Sequence, residues 1–356
     1  MTKRLTIGYY GNGKSTNRYH LPFLMRRKDT IFVKTIYAPT LRDDWARWEG
    51  VHYTDKLDDL LNDPEIDVVV VTTPAPAHYE TAKQVLEAGK NLVLEKTFTQ
   101  SVKKSQELFD LAREKGVMIQ GYQNRRFDSD FLTTQAVIAS GKLGDLLEVE
   151  MHYDYYRPEV PENVTQYSKD ESYVYNHACH TVDQVISYFG KPDDVQYDVR
   201  QLLGAGRMND YFDIDFYYQN STDVFHVAPG GLKVSVKSSY FRVKERPSFI
   251  VYGRKGMFVK YEKDRQEADL KKFYLPDNDD FGLDKPENFG TLTYYDDNGH
   301  YHEEAVETVK GDNGRFYDAL YETLINHKPI LVTEEQTMLQ MDILEEATKD
   351  LKWQNS

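Results

Sequence analysis

Short apolar runs alternate with periodic segments over the first third of the chain. The runs predict β-strands and the periodic segments predict α-helices, because side chains repeat every two residues along a strand and about every 3.6 along a helix. The predicted strands are Leu5–Tyr10, Ile31–Tyr37, Asp67–Thr73, Asn91–Glu95 and Val117–Gly121. The predicted helices are Tyr79–Ala88 and Ser101–Lys115. Elements alternating in this way form a parallel sheet with helices on both faces, so residues 1–122 are predicted to form one α/β domain.

The pattern changes after residue 121 to longer strands with fewer helices. The predicted elements are the helices Asp130–Ser140 and Tyr175–Phe189, the strand Leu147–Tyr155 between them, and the closing helices Arg315–Asn326 and Thr333–Asp350. The segments Gly253–Gly256 and Asp297–Gly299 are typical of β-hairpin turns. Residues 123–356 are therefore expected to form an α+β domain on an open, largely antiparallel sheet. Its last helix is expected to pack back on the first domain.

Composition and charge narrow the classes of function. Apolar residues make up 40% of the chain and charged residues 29%, as in ordinary globular proteins. The net charge of −14 argues against nucleic acid as a partner, because a polyanion would be repelled. No run reaches the roughly 20 apolar residues of a membrane span, and no apolar signal segment opens the sequence. The single cysteine, Cys179, fits a reducing compartment. We expect a cytoplasmic protein with neither nucleic acid nor a membrane as its partner.

The glycine-rich segment after the first strand has two interpretations. Gly8–Ser15 matches the P-loop pattern Gly-x-x-x-x-Gly-Lys-Ser/Thr of ATP-binding enzymes. Gly11-x-Gly13 also matches the start of a dinucleotide-binding loop, with Thr16 at the position of the third glycine. The two ligands differ in what else the protein must supply, so residues outside the loop decide between them.

Two features favour the dinucleotide. The central strand ends in Thr72-Thr73-Pro74 and supplies no acid for the Mg²⁺ that accompanies ATP. A P-loop helix would start near Lys14 and enclose Pro22, at a cost of ~3 kcal/mol. Pro22 is better placed in the first turn of a helix that starts around His20 or Leu21.

The order of motifs along the chain resembles that of the Gfo/Idh/MocA oxidoreductases. The shared motifs are Gly11-x-Gly13, Thr73-Pro74 with His78, Ala88–Lys96, Gln123–Phe127, His180–Asp183 and Gly253–Gly256. The string Gly13–Pro22 most resembles a YhhX-like branch of bacterial members. The resemblance implies a Rossmann-type first domain, NADP or NAD as cofactor, and hydride transfer at a CH–OH carbon of a sugar, polyol or related cyclic compound. Thr97 stands where the family has the proline of Glu-Lys-Pro, and Asn176 stands where many members have Asp.

The resemblance assigns the cofactor to the first domain. The implied contact residues are Gly11, Asn12, Gly13, Lys14, Ser15, Thr16, Arg42, Thr73, Pro74, His78, Glu95 and Lys96. The second strand ends in Tyr37-Ala38-Pro39-Thr40 and lacks the acid that would bind a ribose 2′-hydroxyl. Arg42 follows closely and offers its charge to a 2′-phosphate, so the sequence favours NADP over NAD.

Hydride transfer from an alcohol needs a base for the hydroxyl proton and a charge that stabilises the alkoxide. The resemblance implies that Lys96 supplies the charge and that His180 takes the proton. Asn176 and Asp183 share a face with His180 at α-helical spacing, and either would fix its tautomer. The structural alternatives are a solvated strand end for Lys96 and a core histidine for His180.

The same helix raises the question of a metal. His177, His180 and Asp183 share a face, but one helix rarely completes a zinc site, so no metal is expected. Cys179 is interpreted as a small buried residue. The residues implied for the substrate are Asn124, Arg125, Tyr155 and Arg157. With 27 tyrosines in the chain, a tyrosine cluster arises equally well from packing.

Two other functions stay open beside the oxidoreductase. Asn176 and Thr97 are compatible with a protein that senses a dinucleotide or a sugar without catalysis, and the P-loop match is compatible with an ATP-using enzyme. The resemblance further implies a homodimer or homotetramer, formed through the exposed face of the second domain's sheet.

Overall fold

In a computed structural model, which describes residues 3–351, the chain divides into two compact units. The first unit combines residues 3–124, Glu267–Phe281 and Asp312–Met341, and the second combines Arg125–Gln266, Gly282–Gly311 and residues 342–351.

The strands are β1 (Leu5–Tyr10), β2 (Ile31–Tyr37), β3 (His52–Thr54), β4 (Val68–Val71), β5 (Asn91–Leu94), β6 (Ile119–Gly121), β7 (Leu146–His152), β8 (Asp194–Arg200), β9 (Tyr211–Tyr218), β10 (Leu232–Ser239), β11 (Phe249–Gly253), β12 (Gly256–Lys260), β13 (Gly290–Tyr295) and β14 (Tyr301–Val306). The α-helices are α1 (Leu21–Leu24), α2 (Asp58–Leu61), α3 (His78–Glu87), α4 (Val102–Lys115), α5 (Ser129–Ala139), α6 (Glu159–Asn163), α7 (Cys179–Phe189), α8 (Gln266–Lys271), α9 (Arg315–Asn326) and α10 (Glu334–Thr348).

The sheet of the first unit consists of six parallel strands in the order β3-β2-β1-β4-β5-β6. All four residues of β4 are fully buried, as expected for a central strand covered on both faces. The chain leaves β1 towards β2 on one side and returns to β4 on the other. Such a reversal of strand order opens a crevice at the carboxyl ends of the strands, where ligands bind. The predicted α/β, Rossmann-type sheet is confirmed.

The predicted start of the first α-helix at Leu21, with Pro22 in its first turn, is confirmed. Residues Ser15–His20 already form a wide, π-helical turn, and α1 continues from Leu21. Pro22 is tolerated because it lies in the first turn of α1, where its missing N–H breaks no hydrogen bond. The π-helical turn, which the sequence did not predict, therefore begins directly after Lys14, and the regular α-helix starts later, at Leu21.

The sheet of the second unit has eight strands in the order β14-β13-β12-β11-β7-β10-β9-β8. All neighbours are antiparallel except β7 and β10, which confirms the prediction of a largely antiparallel sheet. In β9, Phe212, Ile214 and Phe216 are buried while the residues between them are half-buried. One face of the sheet therefore forms a core, and both predicted hairpin turns join neighbouring strands.

A second π-helical turn, Val174–Ala178, leads into α7. The helix predicted over this stretch is therefore confirmed only from Cys179 onwards as regular α-helix. No helix within residues 3–351 is long and apolar enough to cross a bilayer. The division of the chain into domains at residue 122 stays a prediction.

Candidate functional site

The glycine loop follows β1 at the carboxyl edge of the six-stranded sheet. Gly11 has a φ of 130°, and a Cβ atom there would lie 2.5 Å from the Thr72 hydroxyl oxygen, so only glycine fits beside the end of β4. Gly13 is exposed, and a Cβ atom there would meet no atom within 4 Å. The loop thus closes against β4 on one side and leaves its backbone open on the other. This shape fits the pyrophosphate of a dinucleotide.

Hydrogen bonds from its own side chains hold the loop in this shape. The Thr16 hydroxyl donates to the Gly11 carbonyl oxygen at 2.7 Å and lies 2.7 Å from the Thr72 hydroxyl. Asn12 Oδ1 accepts a hydrogen bond of 2.9 Å from Asn17 Nδ2. A loop arranged in advance loses less conformational entropy when a ligand binds.

A buried carboxylate connects the loop to the end of β5. Glu95 Oε1 accepts hydrogen bonds from Ser15 Oγ at 2.5 Å and from His20 Nε2 at 2.9 Å. Its Oε2 accepts from the backbone N–H of Lys96 at 2.9 Å. Burial opposes ionisation of Glu95, but the hydrogen bond and charge of His20, followed by Lys96 and Ser15, outweigh it and lower the pKa to about 2. Glu95 is therefore ionised at neutral pH.

His20 extends this network into the core of the first unit. Its ring is fully buried and stacks on Tyr122 with the ring centres 4.0 Å apart, and its Nδ1 lies 2.6 Å from the Tyr317 hydroxyl. Because ionised Glu95 can only accept, His20 Nε2 carries a proton. Burial raises the pKa of Tyr317 well above its usual range, so its hydroxyl keeps its proton beside Nδ1. The Tyr9 hydroxyl lies 2.8 Å from that of Tyr317 and completes the chain.

Lys96 is partly exposed at the carboxyl end of β5, and its peptide bond with Thr97 is cis. Next to it, buried His78 joins two strand ends. His78 Nδ1 lies 2.7 Å from the Thr97 carbonyl oxygen, and Nε2 lies 2.9 Å from that of Thr73. Burial lowers the pKa of His78. The histidine therefore fixes the segments that follow β4 and β5, including exposed Pro74.

In the second unit, His180 lies on α7 together with Asp183, whereas Asn176 lies in the π-helical turn before it. Both carboxylate oxygens of Asp183 accept hydrogen bonds from Arg126, at 2.7 and 2.8 Å, and both side chains are buried. Asn176 Nδ2 donates to the Asp170 carbonyl oxygen at 2.8 Å. Asn176 belongs to the π-helical turn, so the α-helical spacing that aligned it with His180 does not apply there. The turn, not the regular helix, sets where Asn176 points.

A cluster of aromatic rings, which we call the tyrosine cluster, lies at the end of β7. Tyr155 packs 5.2 Å from His177 between ring centres, and the Tyr240 hydroxyl lies within hydrogen-bond distance of His177 Nε2, at 2.9 Å. Burial raises the pKa of Tyr240 to about 12, so its hydroxyl stays protonated at neutral pH. The Arg157 guanidinium lies 4.6 Å and Lys263 Nζ 4.9 Å from the centre of the Tyr155 ring. Aromatic faces with flanking cations suit a polar, ring-shaped ligand.

Four more predicted site residues, Lys14, Arg42, Asn124 and Arg125, lie in the two units. Arg42 and Lys14 are exposed, and Asn124 ends the first unit while Arg125 begins the second. The Arg125 guanidinium lies 3.1 Å from the carboxylate of Asp128. Cys179 is buried, as interpreted from the sequence. Within residues 3–351, no group of three or more histidine, cysteine or acidic side chains is arranged to hold a metal.

The sequence does not predict the places of His20, Tyr317 and Tyr9 in the buried network, nor those of His177, Tyr240 and Lys263 in the tyrosine cluster. Tyr317 lies 297 positions after His20 along the chain, so no local pattern connects them. The usable signal for His20 was its place between the glycine loop and the buried Leu21-Pro22 segment.

Comparisons with known proteins agree with this geometry. Models of the oxidoreductase family match in two parts: its NAD-binding Rossmann fold at residues 5–123 and its C-terminal alpha/beta domain at residues 135–352. The chain is 42% identical over 343 residues to the uncharacterized oxidoreductase YhhX of Escherichia coli, covering 96% of this chain and 95% of the relative. It is 30% identical over 354 residues to scyllo-inositol 2-dehydrogenase (NADP(+)) IolW of Bacillus subtilis, covering 98% and 94%.

A solved structure is similar as well. The crystal structure of an oxidoreductase from Bacillus cereus matches with a TM-score of 0.89 and 42% identity, covering 98% of each chain. The family match selects the dinucleotide interpretation of the glycine loop over the P-loop. The chain belongs to the Gfo/Idh/MocA oxidoreductases, a family that binds NAD(P) on its Rossmann fold.

Proposed function

We propose that this protein transfers a hydride between NADP(H) or NAD(H) and a CH–OH carbon of a sugar, polyol or related cyclic compound. The observation that carries the proposal is Lys96, which follows the ionised, buried Glu95 at the carboxyl end of β5. The similarity to a scyllo-inositol 2-dehydrogenase supports a cyclic polyol as the substrate.

The residues of the first unit bind the cofactor and stabilise charge in this proposal. The nicotinamide, when bound, supplies the hydride chemistry. The backbone N–H groups of Gly11–Thr16 bind the pyrophosphate. The ammonium group of Lys96 donates a hydrogen bond to the substrate oxygen and stabilises the negative charge that develops there. Glu95 positions Lys96 by accepting from its backbone N–H.

The residues of the second unit are proposed to move the proton and receive the substrate ring. His180 takes the hydroxyl proton during oxidation and returns it during reduction, and Asn176 orients it where many relatives use an aspartate. Asp183 contributes indirectly, by holding Arg126. The residues proposed to contact the substrate are Asn124, Arg125, Tyr155 and Arg157. The strand-rich unit is also proposed to pair copies of the chain into a homodimer or homotetramer.

Turnover tests the catalytic proposal. Purified protein is supplied with NADP⁺ or NAD⁺ and with scyllo-inositol, myo-inositol and monosaccharides, and the absorbance of the reduced nicotinamide is followed. With the best substrate, Lys96→Met and His180→Ala should each lose about 10²–10⁴-fold in kcat, the range for general acid–base groups. The double variant should lose far less than the product of the single losses, because both serve one hydroxyl group. Asn176→Asp should match or exceed the unmodified protein.

Matched controls separate chemistry from folding. Lys103→Met and His226→Ala change the same residue types at exposed positions and should leave kcat unchanged. All variants should melt near the temperature of the unmodified protein, and His180→Ala should still bind the dinucleotide. Full turnover by both single variants would refute the catalytic roles. Dinucleotide binding without turnover of any CH–OH compound would favour the sensing function instead.

A further inference from the structure

The Arg18 guanidinium lies between two aromatic rings of the first unit. Its Cζ is 5.5 Å from the centre of the Trp45 ring and 5.2 Å from that of Phe273. Its Nε is buried without a hydrogen-bond partner, and within residues 3–351 no carboxylate pairs with it. Arg27, nine positions further along the chain, differs in its pairing, because its guanidinium forms ion pairs of 2.7 Å with both Asp312 and Asp318. Among the described residues, Arg18 thus keeps a positive charge that no carboxylate within ion-pair distance compensates.

Arg18 connects the two segments that follow the neighbouring strands β1 and β2. Arg18 belongs to the π-helical turn Ser15–His20, directly after the glycine loop, whereas Trp45 lies between β2 and β3. The two strands that precede these segments are parallel neighbours, with Tyr10 opposite Tyr37. In dinucleotide-binding sheets the adenosine ribose lies at the end of the second strand, where an acid binds a 2′-hydroxyl or an arginine accommodates a 2′-phosphate. The end of β2, residues 37–40, supplies no such acid, and Arg18 contacts Trp45 further along the same segment.

The flanking rings prepare the guanidinium for an anion. Stacking on aromatic faces restricts a flexible side chain to one plane and leaves its N–H edge available. Phe273 is 66% exposed and has a φ of 59°, a conformation that is strained for a bulky residue. The Phe273 ring therefore lies at the surface beside Arg18, where a ligand can approach both side chains.

We infer that Arg18 binds the 2′-phosphate of NADP(H), with Trp45 and Phe273 as positioning residues. The inference rests on the proposed function and adds to it the residue that selects the cofactor. A planar guanidinium donates two parallel hydrogen bonds to phosphate oxygens. Arg42, exposed on the segment after β2, then has a secondary role at most.

Binding measurements with matched ligand pairs test this assignment. The pairs are NADPH with NADH, and adenosine 2′,5′-bisphosphate with 5′-AMP, which differ only in the 2′-phosphate. Arg18→Met should raise the Kd for NADPH and for the bisphosphate about 10–100-fold, as expected for a charged hydrogen bond. It should change the Kd for NADH and 5′-AMP by less than about twofold. Arg18→Lys should retain part of the preference, and Arg42→Met should lose less than Arg18→Met.

The outcomes distinguish this inference from the proposed function. Equal losses for NADPH and NADH in Arg18→Met would overturn it, as would a full loss of preference in Arg42→Met. An unmodified protein that binds NADH more tightly than NADPH would also overturn it. Failure to bind either dinucleotide would instead refute the proposed function. If Arg18→Met does not fold, Trp45→Ala provides the same comparison, because it keeps the charge of Arg18 and removes one of the rings that hold the guanidinium. Equal losses of affinity for NADPH and NADH in Trp45→Ala would overturn the inference too.

Discussion

Glu95 shows how a single residue couples the glycine loop to the core. The carboxylate is almost fully buried, and its pKa of about 2 depends on His20. Because the folded pKa lies below the unfolded one, the stabilisation is present above about pH 4.3 and is lost as pH falls towards 2. His20→Phe removes the partner and leaves a buried charge, which typically costs about 3–5 kcal/mol. We expect a large fall in melting temperature at pH 7 and a smaller one near pH 4.

The double variant His20→Phe/Glu95→Gln shows whether the buried charge causes the loss of stability in His20→Phe. Adding Glu95→Gln to His20→Phe replaces the stranded carboxylate by a neutral amide, which is cheaper to bury. The melting temperature at pH 7 should therefore rise relative to His20→Phe alone. If the double variant is no more stable than the single one, packing around the ring, rather than the buried charge, explains the loss.

The pKa of Asp130 is shifted in the opposite direction, upwards. Burial, followed by the charge of Asp264, raises the pKa of Asp130 to about 6. The folded state then holds more protons than the unfolded state between about pH 4 and pH 6, so stability falls as pH rises through that window. Asp130→Asn removes this penalty and keeps an oxygen for the Phe131 N–H, which Asp130 accepts at 2.9 Å. The variant should melt a few degrees above the unmodified protein at pH 8, since the shift corresponds to at most about 3 kcal/mol.

The same comparison at low pH is the control for Asp130. Near pH 4 both proteins carry a neutral side chain at this position, so their melting temperatures should agree. Asp223→Asn, a change at an exposed aspartate, should have no effect at either pH. An Asp130→Asn variant that is less stable at pH 8 would contradict the proposed penalty.

At the scale of elements, local pattern determined most boundaries but not the two widened turns. Leu5–Tyr10 and Ile31–Tyr37 match their predicted bounds, because an apolar run bounded by polar residues marks a strand on its own. The turns Ser15–His20 and Val174–Ala178 add width to a helix without changing its apolar spacing. Such turns are frequent at functional sites, and here they carry Arg18 and His177. Their positions depend on tertiary contacts, which a spacing rule does not contain.

The pairing of elements shows a similar limit. The two hairpins around Gly253–Gly256 and Asp297–Gly299 could be predicted, because a short turn dictates antiparallel neighbours. The parallel pairing of β7 with β10 could not, because its strands are more than 80 residues apart along the chain and no local signal selects the partner. The family resemblance predicts Lys96 and His180 as site residues, whereas only the structure shows the buried hydrogen bonds of Glu95 and Asp183 near them in the chain.

For the whole molecule, the exposed face of the eight-stranded sheet is the surface through which we expect the chain to self-associate. Part of this face is covered by ion pairs, such as Lys233 with Glu148 at 2.6 Å. The part formed by β11 and β12 is apolar: Ile250 stands opposite Val259, with Tyr252 and Met257 two residues further on the same face. An apolar patch on an open sheet favours contact with a second copy. The protein is therefore expected to scatter light as a dimer or larger assembly rather than as a 41.5 kDa monomer.

A charge in the apolar part of that face tests how the copies meet. Ile250→Glu places a carboxylate between Val259 of β12 and Glu150 of β7. Pairing with a second copy would desolvate this carboxylate beside a like charge, a cost that weakens association. Light scattering at micromolar concentration should show a shift towards the 41.5 kDa species, while the melting transition remains cooperative. Val243→Glu is the matched control, because Val243 is 79% exposed in a loop outside the sheet. An unmodified protein that is already monomeric would refute the assembly, and an Ile250→Glu variant of unchanged mass would place the contact on another surface.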